Sequence, residues 1–250
     1  MPREKIRAAG PVGHRSRRLH RPAAAASSAM LRRRAALRAF TLIELLVVLA
    51  IIITLAGLLF PVIGGVQERA RKTQAASDCS QIATAVRAYF AEYGKYPMGD
   101  GQQGYDTVIG NPPPGNPLYR SSYMFNALRA IADGNWNQNH ALNPKRVIYF
   151  EGKQAKNPAK PVNGFVLKSG DTNDGCYYDP FGKEYVTFLD GDYNGQMDFY
   201  MIYNDLGSPS TNDALRMGVG VSSLGKDQTF GANGDGKFRG SKSDDVATWQ

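Results

Sequence analysis

The sequence predicts an α+β fold, in which a long N-terminal helix spans a membrane with its first half and packs on a small antiparallel β-sheet head domain. Three observations predict it: an apolar run over residues 40–63, a helical pattern that continues to residue 94, and short strand-like segments after that. With 250 residues and 42% hydrophobic content, the chain can bury a core. The same values exclude a disordered or collagen-like chain.

Residues 1–39 carry most of the positive charge. The chain has a formal net charge of +8, but this segment holds eleven basic side chains and one acidic one, which leaves −2 for the remainder. A basic stretch directly before an apolar run is typical of a cytoplasmic flank. A nucleic-acid-binding arm is the alternative. It is disfavoured because no aromatic side chains lie between the arginines to stack on bases.

The apolar run over residues 40–63 reads FTLIELLVVLAIIITLAGLLFPVI. As a helix it would be about 36 Å long, against about 30 Å for a hydrocarbon core, so it predicts a transmembrane helix. A secretory signal peptide is disfavoured, because its apolar region is shorter and ends in a small-residue cleavage site. Glu44 is the anomaly: a carboxylate in such a run needs a partner such as an ammonium group, or else it reaches the interface without a role.

The nine residues from Phe40 to Val48 resemble the N-terminal motif of type IV pilins and type II secretion pseudopilins. The resemblance implies that a prepilin peptidase cleaves between Ala39 and Phe40 and methylates the new amine of Phe40. It also implies that Glu44 pairs with an N-terminal amine during assembly. Ala39 departs from the family, which usually has glycine before the cut, so we expect processing to be slower.

The start of the chain has two interpretations. Residues 1–39 form the basic prepilin leader in the resemblance, but family leaders are often shorter. Met30 opens a conventional leader, MLRRRAALRA, so residues 1–29 would then be an over-extension of the start site. Whether Met1 or Met30 is the true start stays open. N-terminal sequencing of the uncleaved precursor would decide it.

The pattern after the apolar run predicts an amphipathic continuation of the helix over residues 64–94 and a periplasmic head domain over residues 95–250. Within the head, a short helix is expected over residues 123–132, capped by Ser121 or Ser122. Candidate strands cover residues 147–150, 165–168, 185–189, 199–203 and 217–222. Whether Cys79 and Cys176 pair is left open, because sequence separation does not decide geometry.

Two head segments are similar to the major pseudopilin of type II secretion, the general secretion pathway protein G type. Residues 179–185, DPFGKEY, resemble its DPWGNPY segment, and residues 230–236 with 243–249 resemble its calcium-binding closing loop. Calcium binds six to eight oxygens, so Asp235, Asp244 and Asp245 are the candidate side-chain ligands. By resemblance, carbonyls near Phe230 and Lys237 would complete the set. A solvated turn is the alternative.

Residues 190–195, DGDYNG, match the start of an EF-hand loop. The twelfth position is Met201, which offers no carboxylate, so a hairpin turn is the favoured interpretation. A second, weaker calcium site that uses Asp190, Asp192 and Asp198 is the alternative.

Catalysis has little support in the sequence. His140 is the one histidine after the leader, and no nucleophile elbow, zinc-protease or Walker motif occurs. The sequence therefore predicts a non-enzymatic subunit of a type II secretion pseudopilus. Expected partners are copies of itself, minor pseudopilins, the prepilin peptidase and an inner-membrane assembly platform, with no direct nucleic-acid partner.

The expected location is the bacterial inner membrane, single-pass with the N-terminus cytoplasmic and the head periplasmic, followed by the pseudopilus. Two alternatives stay open. One is a type IV pilus subunit for adhesion, motility or DNA uptake. The other is a membrane-anchored carbohydrate-binding or hydrolytic domain that uses the Asp clusters with Tyr177, Tyr178 and Trp136.

Overall fold

A computed structural model describes residues 40–110, 119–132, 136–167, 174–197, 203, 215–238 and 243–249. The predicted leader with Ala39 and Met30, and also Asp198, lie outside the described residues. The chain divides into two compact units, one ending at Ile52 and the other running from Ile53 to Gln250.

Helix α1 comprises Leu42–Tyr93, 52 residues. It ends where the sequence predicts, because Gly94 takes a φ of +66° and its N–H donates a 2.8 Å hydrogen bond to the Phe90 carbonyl. A residue without a Cβ adopts this left-handed conformation without strain, which closes the last turn.

The predicted membrane-spanning fold class is wrong. Within the described part of the chain, no helix combines the length and the apolar character needed to cross a membrane.

The pilin-like packing of a long N-terminal helix laid along the sheet is corrected as well. Of the described side chains of α1, those between Cys79 and Tyr89 enter the buried core cluster. There they meet the short helix Ser121–Leu128 and loop residues as well as strands.

Four short strands form an antiparallel sheet in the order β1-β4-β5-β6. They are β1 Thr107–Ile109, β4 Val186–Leu189, β5 Val219–Ser223 and β6 Val246–Ala247. β2 Gly164–Phe165 and β3 Tyr177–Tyr178 form a separate antiparallel pair, and helix α2 comprises Ser121–Leu128. In register, Thr107 faces Leu189, and Leu189 also faces Val219, so β4 lies inside the sheet.

The sheet is covered on both faces, because successive side chains of a strand point to opposite sides. Leu189 belongs to the main core with Ile82, Val86 and Phe125. Val186 and Phe188 belong to a second cluster against which Phe230, Phe238 and Trp249 pack. Every residue of β4 is therefore buried.

Several elements differ from the sequence expectation. Residues 147–150 form no strand, because Tyr149 and Phe150 both donate their N–H groups to the Leu128 carbonyl and so pack beside α2. β1 lies inside a stretch whose Gly and Pro content predicts loop. α2 begins at Ser121 itself, and Arg120 is its N-cap without a side-chain bond. Residues 199–202 lie outside the described residues.

Candidate functional site

The start of α1 is closed by a reciprocal pair between Thr41 and Glu44. The Thr41 backbone N–H and hydroxyl donate to Glu44 Oε2 at 2.8 and 2.7 Å, and the Glu44 N–H donates to Thr41 Oγ1 at 3.3 Å. This is a capping box, which satisfies two backbone donors at a helix N-terminus. The carboxylate predicted to need an ammonium partner therefore also has a structural role within its own chain.

The side chains that follow leave an apolar surface on α1. Leu42 is 81% exposed, Ile53 69% and Leu58 73%. Large apolar side chains throughout residues 40–58 are similarly uncovered, namely Phe40, Ile43, Leu45, Leu46, Val47, Val48, Leu49, Ile51, Ile52 and Leu55. An apolar surface of this extent is unfavourable in water and marks an interaction surface.

Asp179, the first residue of the DPFGKEY segment, organises a tight turn. Its Oδ1 accepts 2.9 Å hydrogen bonds from the N–H groups of Phe181 and Lys183, and its Oδ2 accepts one of 2.6 Å from the Ser223 hydroxyl on β5. The residue is fully buried. Burial raises the pKa of this carboxyl, and the hydrogen bonds oppose the rise.

The last two residues of the DPFGKEY segment, Glu184 and Tyr185, connect the turn to helices α2 and α1 by hydrogen bonds. Glu184 Oε2 accepts from the N–H and hydroxyl of Ser121 at 3.0 and 2.7 Å, and Oε1 lies 2.9 Å from Arg120. A carboxylate at a helix N-terminus satisfies the first backbone donors and the local positive potential. Tyr185 donates a 2.8 Å hydrogen bond to Asp78 on α1. These residues of the DPFGKEY segment thus have a structural role.

The C-terminal loop brings three carboxylates together. Oxygen atoms of Asp227, Asp244 and Asp245 all lie within 4.8 Å of one another. Asp245 is 3% exposed, and it accepts a 2.8 Å hydrogen bond from the Gly231 N–H. Burial, with smaller contributions from Asp227 and Asp244, raises the pKa of Asp245 to about 6. A divalent cation among these oxygens would favour the ionised form of Asp245.

The grouping differs in one member from the set predicted from sequence. Asp244 and Asp245 are in it, but Asp235 is not: its Oδ1 accepts a 2.9 Å hydrogen bond from the Lys237 N–H in its own exposed turn. The Phe230 carbonyl, near which a backbone ligand is expected by resemblance, accepts a 3.0 Å hydrogen bond from the Gly236 N–H. Asp227 is the third member of the group. No sequence signal identifies it, because it precedes the glycine-rich segment and comes close to Asp244 and Asp245 only when the chain folds.

The DGDYNG segment forms a turn held by its own carboxylates. Asp190 accepts from the N–H groups of Asn194 and Gly195, and Asp192 accepts from Asn194. The left-handed φ values of Tyr193 and Gly195, +60° and +76°, fit a turn. The structure adds Asp106, directly before β1, within 4.8 Å of the Asp190 and Asp192 oxygens.

The remaining candidate residues form no catalytic arrangement in the part of the chain that the structure describes. Cys79 and Cys176 are both free and buried, in different clusters. His140 lies in a short 3₁₀ turn, Gln138–His140, with a positive φ of +61°. Tyr177 and Tyr178 are buried, and Trp136 packs between Tyr119 and Tyr123, so these rings offer no exposed platform for a sugar.

No protein-family model, curated protein or solved structure matches this chain.

Proposed function

We propose that this chain is a structural, non-enzymatic subunit, similar to a type II secretion pseudopilin, that assembles with copies of itself into a periplasmic pseudopilus. The observation that carries the proposal is the exposed apolar surface over residues 40–58. Covering a Leu or Ile side chain stabilises an assembly by about 1.5–3 kcal/mol when it is fully removed from water. A bundle of such helices from several copies would cover this surface.

Processing would prepare this surface for assembly. Cleavage between Ala39 and Phe40 removes a leader of net charge +10 and creates a new α-amine one residue before the capping box. Glu44 lies at the same helix end and is exposed. A carboxylate placed there can accept a hydrogen bond from the amine of a neighbouring copy in addition to those from Thr41, and the pair would fix the register between helices.

Calcium is the proposed ligand of the C-terminal loop. Asp227, Asp244 and Asp245 offer a cluster of hard oxygen donors, which is the chemistry that calcium selects. Bound calcium would supply positive charge to a partly buried group of like charges. Since this site forms only in the folded chain, calcium would stabilise the head by mass action.

The two head segments favour secretion over a type IV pilus. They resemble the corresponding segments of the major pseudopilin. Within the DPFGKEY segment, Asp179, Glu184 and Tyr185 each make a hydrogen bond that stabilises the fold. In this role the partners are minor pseudopilins, the prepilin peptidase and the inner-membrane assembly platform. A strain that lacks the gene should retain its exported proteins in the periplasm, whereas loss of surface pili alone would favour the pilus alternative.

Filament assembly of the processed chain tests the proposal directly. Ile52→Ser and Ile53→Ser introduce hydroxyls into the exposed apolar surface and should reduce the sedimentable fraction and the filaments seen by electron microscopy. Val162→Ser is the matched control, because Val162 is also exposed, at 47%, but lies in the head. Wild-type chains that remain monomeric after cleavage would contradict the proposal.

A further inference from the structure

We infer that a groove beside β1 receives a lysine side chain from residues 151–160 of a second copy, which joins successive subunits head to tail. The inference deepens the proposed function and rests on it, since it needs copies of the same chain in one assembly.

The groove has the size of one long side chain. A cavity of about 220 Å³ lies between the short 3₁₀ turn Asp100–Gln102, β1 and Tyr119. Pockets for small molecules usually measure about 300–1,000 Å³, so this one suits a side chain better than a free ligand. The Tyr105 ring, 73% exposed, forms one wall, and Val108 and Tyr119 provide further apolar surface.

The groove has a carboxylate in its lining, with two more nearby. Asp106 lines it, and the Asp106 carboxylate lies within 4.8 Å of the oxygens of Asp190 and Asp192. Apolar and aromatic walls suit the methylene stem of a lysine, and carboxylates suit its ammonium group. The chemistry of the groove therefore fits a lysine side chain along its whole length.

The same chain presents such side chains on a surface segment over residues 151–160. Lys153, Lys156 and Lys160 are all exposed, and none of them makes an ion pair among the residues that the structure describes. The backbone of this segment is fixed, because Phe165 donates to the Lys153 carbonyl and Ala155 donates to the Phe165 carbonyl, both at 2.8 Å. Ala155 is buried, whereas the three lysines around it are exposed.

The lysines and the groove lie at opposite ends of β4. Thr107, next to Asp106, pairs with Leu189 at the end of the strand. The Pro161 carbonyl and Val162, directly after Lys160, are the nearest neighbours of Gly182, before the strand begins. The extended chain from Glu184 to Asp190 covers about 20 Å, farther than a lysine side chain reaches.

A lysine from the same copy therefore does not enter the groove. A second copy, displaced along the direction of β4, would bring the complementary charges together. A contact between two different surfaces of identical chains repeats head to tail, and it builds a filament where its rotation does not close into a ring.

Zero-length crosslinking tests the contact on the full processed chain. Copies labelled with ¹⁴N and ¹⁵N are mixed, assembled and treated with a carbodiimide, which joins a carboxylate to a neighbouring lysine. We expect mixed-label peptides that link Asp106 or Asp192 to Lys153, Lys156 or Lys160. Filaments without these peptides overturn the contact and leave the proposed function intact. If the crosslinks form in concentrated detergent solution but no filaments form, the contact between copies is supported and the proposed assembly into a filament is contradicted.

Charge reversal provides the second test. Lys153→Glu, Lys156→Glu and Lys160→Glu are made singly, and the variant of the docking lysine should lower the mixed-label yield about fivefold or more. Asp192→Lys should do the same, and the two reversals together should restore the yield to within about twofold. Arg146→Glu, which reverses another exposed cation in the head, is the matched control. Equal yields for all variants, or no rescue by the double reversal, overturn the contact.

Discussion

The Tyr185 hydroxyl donates a 2.8 Å hydrogen bond to the carboxylate of Asp78, and both residues are buried. Asp78 lies on α1, and Tyr185 directly precedes β4. Gln74, one turn earlier on α1, donates to the other Asp78 oxygen at 2.7 Å. A buried carboxylate is retained only where donors surround it, so this pair fixes how the end of the DPFGKEY segment lies against the helix.

Tyr185→Phe should destabilise the chain by about 1–3 kcal/mol, because Asp78 loses a donor while it stays buried. The measurement is urea unfolding of the full chain at pH 7. Tyr105→Phe is the matched control, since Tyr105 is exposed, and its unfolding midpoint should stay close to that of wild type. Equal midpoints for both variants would show that the Asp78 bond contributes nothing.

Asp179→Asn should change how stability depends on pH. Burial raises the folded pKa of Asp179 above its ordinary value of 3.8, so the folded state binds this proton more tightly than the unfolded state. Its contribution is therefore complete below about pH 4 and is lost as the pH rises through the folded pKa. The variant should show a shallower loss of unfolding free energy between pH 4 and 7 in chelator.

The turn itself should survive that substitution. An Asn side-chain oxygen can still accept from Phe181 and Lys183, and its amide can donate to Ser223. Asp179→Ala removes all three bonds and should cost about 2–3 kcal/mol at pH 7. An Asn variant whose pH profile matches that of wild type would contradict the assignment of this titration to Asp179.

Calcium should raise the melting temperature of the full chain, and a chelator should reverse the rise. Asp227→Asn should abolish this dependence, because Asp227 belongs to the group of three carboxylates. Asp235→Asn should preserve it, because Asp235 lies in a separate exposed turn. Calorimetry with and without calcium measures both. If only the Asp235 variant lost the calcium-dependent rise in melting temperature, the ligand set predicted from sequence, which includes Asp235, would be the correct one.

Substitutions of Glu44 should separate its two roles. Glu44→Gln keeps a side chain that can complete the capping box but removes the charge, whereas Glu44→Ala removes both. If pairing with an amine drives assembly, both variants should be cleaved at Ala39–Phe40 and both should form few filaments. Intact mass reports cleavage, and electron microscopy reports filaments. Normal filaments from the Gln variant would assign Glu44 to the cap alone.

Short-range sequence patterns predict those elements that depend only on residues close together in the chain. The long helix ends at Gly94 because a glycine there takes a positive φ, and the T-x-x-E pattern at Thr41–Glu44 is readable as a capping box without any structure. Turn formers around residues 190–195 likewise predict the turn that is observed. The prediction of a membrane span over residues 40–63 is wrong, since apolar composition alone does not decide which surroundings cover a helix.

By itself, the sequence determined the separation of charge, with a basic segment over residues 1–39 before a slightly acidic remainder, and the turns and helix ends set by Gly, Asp and Thr. Only the tertiary structure decided that Asp227 rather than Asp235 joins Asp244 and Asp245, that Asp106 meets Asp190 and Asp192, and that Cys79 and Cys176 lie in different clusters. These groupings join residues far apart in the chain. The pairing of β1 with β4 brings Asp106 towards Asp190, and no short-range pattern encodes such a pairing between distant strands.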